Sequence, residues 1–271
     1  MLEELRLYIN KFKYINMPVK ERRTKILLLL FLLKDTSFDY VALKPEYLEL
    51  FDLVLNQKTK GSLSSMLKEG LIEKKESNDE GEDEKVISEY RMAEKGFYRL
   101  CLDFPSIRYM KDEWDGVWRI ISYEIPEKKR HLRDRLRREM EGWGLGPWHR
   151  SFWMTPHPVI STLRDLVYGK EEAEYVQAFE STHMFGDMDV MVEKVWGKNT
   201  IEKNYRELFK DWHTVLSKDL TKEGKMQEIL YSYIKMLRTD PGLPPSLVGK
   251  KWISFEAFNI FKEIRGILLA I

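Results

Sequence analysis

A single cysteine, Cys101, stands among 271 residues. That scarcity excludes an intrachain disulfide framework and any zinc site built from several thiolates, and it suits a reducing compartment. Long apolar runs are missing too. The stretch Ile26 to Leu33 is uninterrupted for 8 residues, whereas a bilayer span takes about 20. The opening MLEEL places acid where a signal peptide needs base, so a cytoplasmic protein is expected. Neither sign of charge prevails. A net charge of +1 with 33% charged residues excludes the global basic field of a nonspecific nucleic-acid binder, so any such contact must use a local patch. The sequence also lacks a G-x-S-x-G elbow, a Gly-rich phosphate loop and an HExxH pair. His131, His149, His157, His183 and His213 are scattered and read as surface or core residues, and no metal or cofactor site is expected.

What is present is a folding composition: 43% hydrophobic and 13% aromatic residues are enough for a core and argue against disorder. The length suggests two or three domains. Residues 2 to 15 carry Leu2, Leu5, Ile9, Phe12 and Ile15 at helical spacing, and that helix should stop before Pro18. Lys20 to Lys34 reads as a helix apolar on most sides, hence enclosed. Shorter helices follow over Pro45 to Leu55 and Gln57 to Leu71. In the second, Leu63, Met66, Leu67 and Leu71 form the buried side, leaving Lys58, Lys60, Ser62, Ser64, Ser65 and Lys68 outward. Small hydroxyls allow close approach to base edges and lysines neutralise phosphates, so these six are the candidate DNA contacts.

Two strands, Ile72 to Lys75 and Val86 to Met92, then make a hairpin. Three helices followed by a hairpin is the layout of a winged helix-turn-helix, a DNA-binding module that also occurs in protein-interaction scaffolds. The loop Glu76 to Glu84 carries six acids and no base, which phosphates would repel. It reads as a solvated tip.

The stretch from Trp114 to Pro156 holds a β-branched strand (Val117 to Ile125), a charged helix and a second aromatic strand. Leu132, Leu136 and Met140 give that helix one narrow apolar stripe. Lys128, Lys129, Arg130, Arg133, Arg135, Arg137 and Arg138 crowd its other faces, either as a solvated surface balanced by Glu127, Asp134, Glu139 and Glu141 or as a meeting place for an anion. With a helix over Val159 to Tyr168 and a strand over Tyr175 to Glu180, the middle fits a β-α-β-β-α-β, ferredoxin-like arrangement. Asp189 to Trp196 fits a strand or a helix. From there helices dominate: one opened by Asn199 as N-cap with Tyr205, Leu208, Phe209, Trp212 and Leu216 on its apolar face, one over Gly224 to Leu237, and one over Trp252 to Ile271, the last two separated by PGLPP.

On the winged-helix order, on DGVWRIISYEIPEKKRHLRDRLRREMEGWGLGPWHRSFWMTP, on GDMDVMVEKVW with IEKNYRELFKDW, and on LRTDPGLPPSLVGKKW, the chain resembles the PaaX-type repressors of phenylacetate catabolism and their relatives. The resemblance implies a DNA-binding repressor, dimeric on a two-fold operator and released by an acyl-coenzyme A thioester. Arg119 and Arg130, beside the tryptophans of the middle, are the candidate effector contacts. The family's middle domain is itself similar to the small ferredoxin-like nuclease of CRISPR spacer acquisition, where an Asp closes the first strand. Glu124 stands at that place here, which leaves a metal-dependent nuclease as the alternative function. A lone carboxylate is poor support for it, and Glu124 is expected to cap the following helix or pair with Arg130. The sequence therefore predicts an α+β protein, not an enzyme, in three parts: winged helix-turn-helix (1–110), ferredoxin-like middle (111–197) and helical C-terminal region (198–271). Its expected partners are double-stranded DNA and a second copy of itself.

Overall fold

The computed structural model describes residues 17–33, 38–78 and 86–269. The helix expected over 2–15 and the acids at 79–84 lie outside the described residues. The fold is mixed helix and sheet, and it divides into two compact units. The first gathers the described residues of Met1–Leu100, Leu208–Lys235 and Phe258–Ile271, and the second those of Cys101–Glu207 and Met236–Ala257. No helix among the described residues is long and apolar enough to cross a membrane.

The first unit is built around α1 (Arg22–Leu32), in which every residue from Ile26 to Leu32 is buried, as is Leu33 at its C-cap. A helix apolar on all sides must be covered on all sides. Around it stand β1 (Val41–Ala42), α2 (Pro45–Leu50), α3 (Gln57–Lys68) and a hairpin of β2 (Ile72–Asn78) and β3 (Val86–Met92), sheet order β1-β3-β2. Strand β2 runs on past Lys75, so Glu76 belongs to the strand and pairs with Lys74 at 2.6 Å instead of lying in a loop.

C-terminal residues complete this core. Phe31 stacks on Phe258 at 5.7 Å, Tyr233 stacks on Phe261 at 4.8 Å, and Trp212 meets Tyr233 edge-on at 5.5 Å. Arg265 donates to the Leu32 carbonyl at 2.9 Å, satisfying one of the backbone acceptors that a helix end leaves open.

The second unit begins with the end of α4 (Glu94–Asp103) and contains β4 (Trp118–Tyr123), α5 (Arg130–Gly142), β5 (Gly146–His149), β6 (Phe152–Thr155), α6 (Ile160–Val167) and β7 (Val176–Ser181). The connectivity is the expected β-α-β-β-α-β, and the sheet is antiparallel throughout in the order β5-β6-β4-β7. Alternation along β4 sends Ile121 and Tyr123 to one face, where Leu132, Leu136 and Met140 of α5 and Leu163 of α6 cover them. Trp118 and Ile120 go to the other face, under Met191, Val192 and Val195.

Those three residues lie on α7 (Met188–Trp196), which settles the strand-or-helix ambiguity as helix. Asp187 caps its start by accepting from Val190 N–H at 3.0 Å, and Gly197 ends it at φ 65°, where a Cβ would be strained. Next come α8 (Lys198–Ser217), α9 (Lys222–Thr239), the single turn α10 (Pro245–Val248) and α11 (Ile253–Leu269). Asn199 is not the N-cap of α8. It lies inside the helix, and its N–H donates to Glu193 at 2.9 Å. The buried stripe of α8 is Ile201, Tyr205, Leu208, Trp212 and Val215, while Leu216 is exposed.

Polar ties lock the DPGLP turn into the second unit. Buried Asp240 accepts from Tyr205 O–H at 2.6 Å and from Gly242 N–H at 2.8 Å. Gly242 sits at φ 68° with its α-carbon against Pro105, where an added Cβ would come within 2.4 Å of backbone atoms. His157 points at the Pro241 carbonyl, 2.8 Å from Nε2. A carbonyl only accepts, so the ring carries its proton there, and the buried Nδ1 has no hydrogen-bond partner among the described residues.

Burial holds the pKa of the His157 imidazole down to about 3. Unfolded, the imidazole takes a proton below about 6.5. The unfolded state therefore binds more protons between those values, and stability falls as pH drops through that window. Burial pushes Asp240 upward, which acts in the opposite sense, so comparison with a His157→Asn variant is needed to isolate the imidazole. The urea-unfolding advantage of the wild type over His157→Asn should shrink by about 2 kcal/mol between pH 7.5 and pH 5. An advantage constant with pH would show that the ring is not held neutral.

Candidate nucleic-acid interface

Helix α3 starts at a formed cap: the Asn56 side chain accepts from Thr59 N–H at 3.1 Å. Thr59, fully buried, donates its hydroxyl to the Val54 carbonyl at 2.7 Å. With Leu63 and Met66 it forms the buried stripe, and Leu67 is only half-buried. Gln57, Gly61, Ser64 and Lys68 recur at spacings of four, three and four, so they lie along the opposite, exposed stripe.

The six expected DNA contacts therefore separate into kinds. Ser64 and Lys68 lie on the outward line, with Lys58 and Lys60 exposed on its two flanks. Ser62 turns its hydroxyl back to the Lys58 carbonyl at 3.0 Å, and Ser65 donates to Glu69 at 2.8 Å. Both residues are half-buried, and both hydroxyls are engaged within the helix and its C-terminal end. Glu69 also pairs with Arg23, and these donors hold its carboxylate below the usual range. Gln57 and Gly61 were not among the expected contacts, although their phase along the helix was there to find them.

Gly61 is informative because the fold does not require it. It has open space where a Cβ would go, yet glycine inside a helix is about 1 kcal/mol less favourable than alanine.

The hairpin beside α3 carries its charge in internal pairs. Arg91 donates through Nε and Nη2 to Glu73 at 2.9 and 2.7 Å, and its guanidinium lies over the Tyr40 ring at 4.8 Å.

The other candidate anion contacts, in the second unit, are largely committed. Arg119 on β4 has a side chain only 7% exposed. It grips Asp115 through both terminal nitrogens at 2.8 and 2.6 Å, reaches Glu180 at 3.1 Å, and donates to the Val117 and Pro156 carbonyls. An effector would have to break those bonds to use it. Arg130 stands apart from this knot, mostly exposed, with Asp134 at 3.4 Å. Around the rest of basic α5, Lys129 meets Glu171 and Tyr175, Arg133 meets Glu127, Arg135 meets buried Glu172, and Arg137 donates to Tyr123. That pairing favours the balanced surface over an anion cradle.

Glu124 is exposed just after β4. It neither caps the following helix nor pairs with Arg130, because the α5 start has no side-chain cap and Arg130 is taken by Asp134. Among the described residues no group of three or more His, Cys, Asp or Glu is placed to hold a metal ion. Burial drives the Cys101 thiol up to about 12, out of the range of a working nucleophile.

Two substitutions on α3 should move stability in opposite directions. Asn56→Ala removes the cap and should lower the unfolding free energy by about 1 kcal/mol, whereas Gly61→Ala should raise it by about 1 kcal/mol. Urea midpoints measure both. A destabilised Gly61→Ala would mean that packing needs the glycine after all.

Residues 111–191 match the family described as PaaX protein central Cas2-like domain, and residues 196–270 match PaaX-like protein C-terminal domain. No curated protein matches the chain. Among solved structures it is similar to an uncharacterized protein from Mycobacterium tuberculosis, 16% identical over 92% of this chain and 100% of that one, with a TM-score of 0.44. The two family matches together take in more than half of the sequence and meet the second unit's sheet and the helices after it, so the protein belongs to the PaaX family of transcription-regulator type.

Proposed function

We propose that the chain is a DNA-binding transcriptional repressor in which α1 to α3 and the β2–β3 hairpin act as a winged helix-turn-helix, with α3 entering the major groove. The observation that carries this reading is the outward stripe of α3. A capped helix, held by buried Thr59, Leu63 and Met66, presents glutamine, glycine, serine and lysine and no acid or bulky apolar group. Gln57 and Ser64 supply hydrogen-bonding groups for base edges, Lys58, Lys60 and Lys68 neutralise phosphates, and Gly61 removes bulk where backbone meets backbone.

The repressor acts as a homodimer, its two α3 helices about 34 to 36 Å apart or at a multiple of that spacing. The edges of the ferredoxin-like sheet support self-association through β7. At the β5 edge, Pro147 and an irregular register blunt pairing. At the β7 edge there is no proline, Phe179 is 53% exposed, and Met184 and Phe185 follow at 87% and 95%. A second copy is the partner that suits an apolar edge left unpaired among the described residues, in a protein reading a two-fold site. The family resemblance adds an acyl-coenzyme A thioester as the releasing ligand, and Arg130 is the more available of the two arginines for its phosphates.

Selection of bound fragments from genomic DNA, repeated with acyl-coenzyme A compounds, tests the reading and supplies a duplex. On that duplex, the Lys58→Ala, Lys60→Ala double variant should bind more weakly and flatten the logarithmic salt dependence by about one unit for each phosphate no longer neutralised. Unchanged affinity and slope would contradict the assignment. Phe179→Asp should sediment as a monomer at concentrations where the wild type is dimeric, and a dimeric variant would move the interface elsewhere.

A further inference from the structure

Asp52, in the turn between α2 and α3, is the one non-glycine at positive φ among the described residues, at 49°. Asp and Asn tolerate that conformation better than other side chains, but tolerance alone does not explain the carboxylate's connections. Its Oδ1 accepts from Tyr231 O–H on α9 at 2.6 Å, its Oδ2 accepts from Met17 N–H at 3.3 Å, and buried Lys25 on α1 stands 3.8 Å away. The 2.6 Å separation is in the range of a charge-assisted bond to a carboxylate. Gln227, one turn earlier on α9, donates to the Tyr231 oxygen at 3.0 Å, which fills that oxygen as an acceptor and aims its proton at Asp52.

Two residues past Asp52, from Val54 on, the chain into α3 is tied by side-chain and backbone bonds. Asn56 N–H donates to the Val54 carbonyl at 2.8 Å, Thr59 returns its hydroxyl to the same carbonyl, and the Asn56 side chain caps Thr59 N–H. The far end of α3 is held separately: Glu69 pairs with Arg23 of α1, and Lys95 of α4 donates to its carbonyl at 2.9 Å. The turn leading into α3 is thus tied, through one hydrogen bond, to a residue 179 positions from Asp52.

We propose that Asp52 and Tyr231 are a positioning pair that sets the angle at which α3 meets DNA, making α9 of the C-terminal region a determinant of operator grip. The pair touches no nucleic acid and acts through the turn. It rests on the DNA-binding reading above and extends it by naming a residue pair through which the C-terminal helices bear on α3.

The test uses the full chain with four changes: Tyr231→Phe, Asp52→Gly, the two together, and Asp52→Asn. Glycine keeps the backbone at ease at positive φ and removes the acceptor, while Asn keeps both the conformation and an acceptor oxygen. Tyr231→Phe and Asp52→Gly should each weaken binding to the selected duplex about tenfold, the scale of one hydrogen bond to a charged group. The double variant should lose no more than the worse single one. Asp52→Asn should stay within about threefold, a rescue that the loss of the acceptor in Asp52→Gly predicts.

A purely structural role would leave the salt dependence of the folded protein alone. Misplaced lysines instead lower its slope by about one unit or more, at urea midpoints that show the variants folded. Wild-type affinity and slope in both single variants, or additive losses in the double, would overturn the proposal. If the wild type binds no duplex, the DNA reading fails by itself. The pair is then judged by hydrogen exchange at the Thr59 and Lys60 amides: about tenfold faster exchange in Tyr231→Phe upholds it as the brace of α3, and unchanged exchange overturns it.

Discussion

An apolar helix with no side left for water has to be walled in completely, and the run Ile26 to Leu33 imposes that demand on the first unit. The short helix α2, α3 and a hairpin surround α1 only in part, and residues from the other end of the chain supply further cover: Phe258 against Phe31 and Arg265 on the Leu32 carbonyl, with Trp212, Tyr233 and Phe261 packed together in the same unit. Burial at this density is worth about 1.5 to 3 kcal/mol per large side chain. The module that carries α3 is therefore cored in part by residues that the family comparison assigns to the C-terminal segment.

Much of the local structure was legible. The enclosed helix, the narrow stripe of Leu132, Leu136 and Met140, and the β-branched run of β4 each follow from spacing, and the succession of strands and helices in the middle suffices for its connectivity. Where the sequence was ambiguous, short-range chemistry decided. Val190, Met191 and Val192 suit a strand or a helix, and the Asp187 cap with Gly197 in the left-handed region made it a helix. The sequence misplaces the start of α8, because Asn199 looks like a cap in isolation. The acceptor it meets, Glu193, belongs to the preceding helix.

Contacts made across long separations were not legible. Arg119 invites assignment to an anionic ligand until Glu180, 61 residues on, is seen beside it on the neighbouring strand. Asp52 is an ordinary turn residue until Tyr231 closes on it. On α3, composition alone grouped six polar residues that the helix phase separates into an outward line and hydroxyls turned back on the helix. The two-faced burial of the second unit's sheet has a similar origin. Helices α5 and α6 cover one side, and the covering of the other comes from α7 and Leu243 and Leu247, far along the chain.

The most direct test is lysine acetylation of the full chain, free and bound to a selected duplex, read residue by residue. Shielding of Lys58, Lys60 and Lys68 by the duplex, with exposed Lys210 and Lys222 still reactive, is the result the account predicts. Lysines on α3 that stay as reactive in the complex as in the free protein would contradict it.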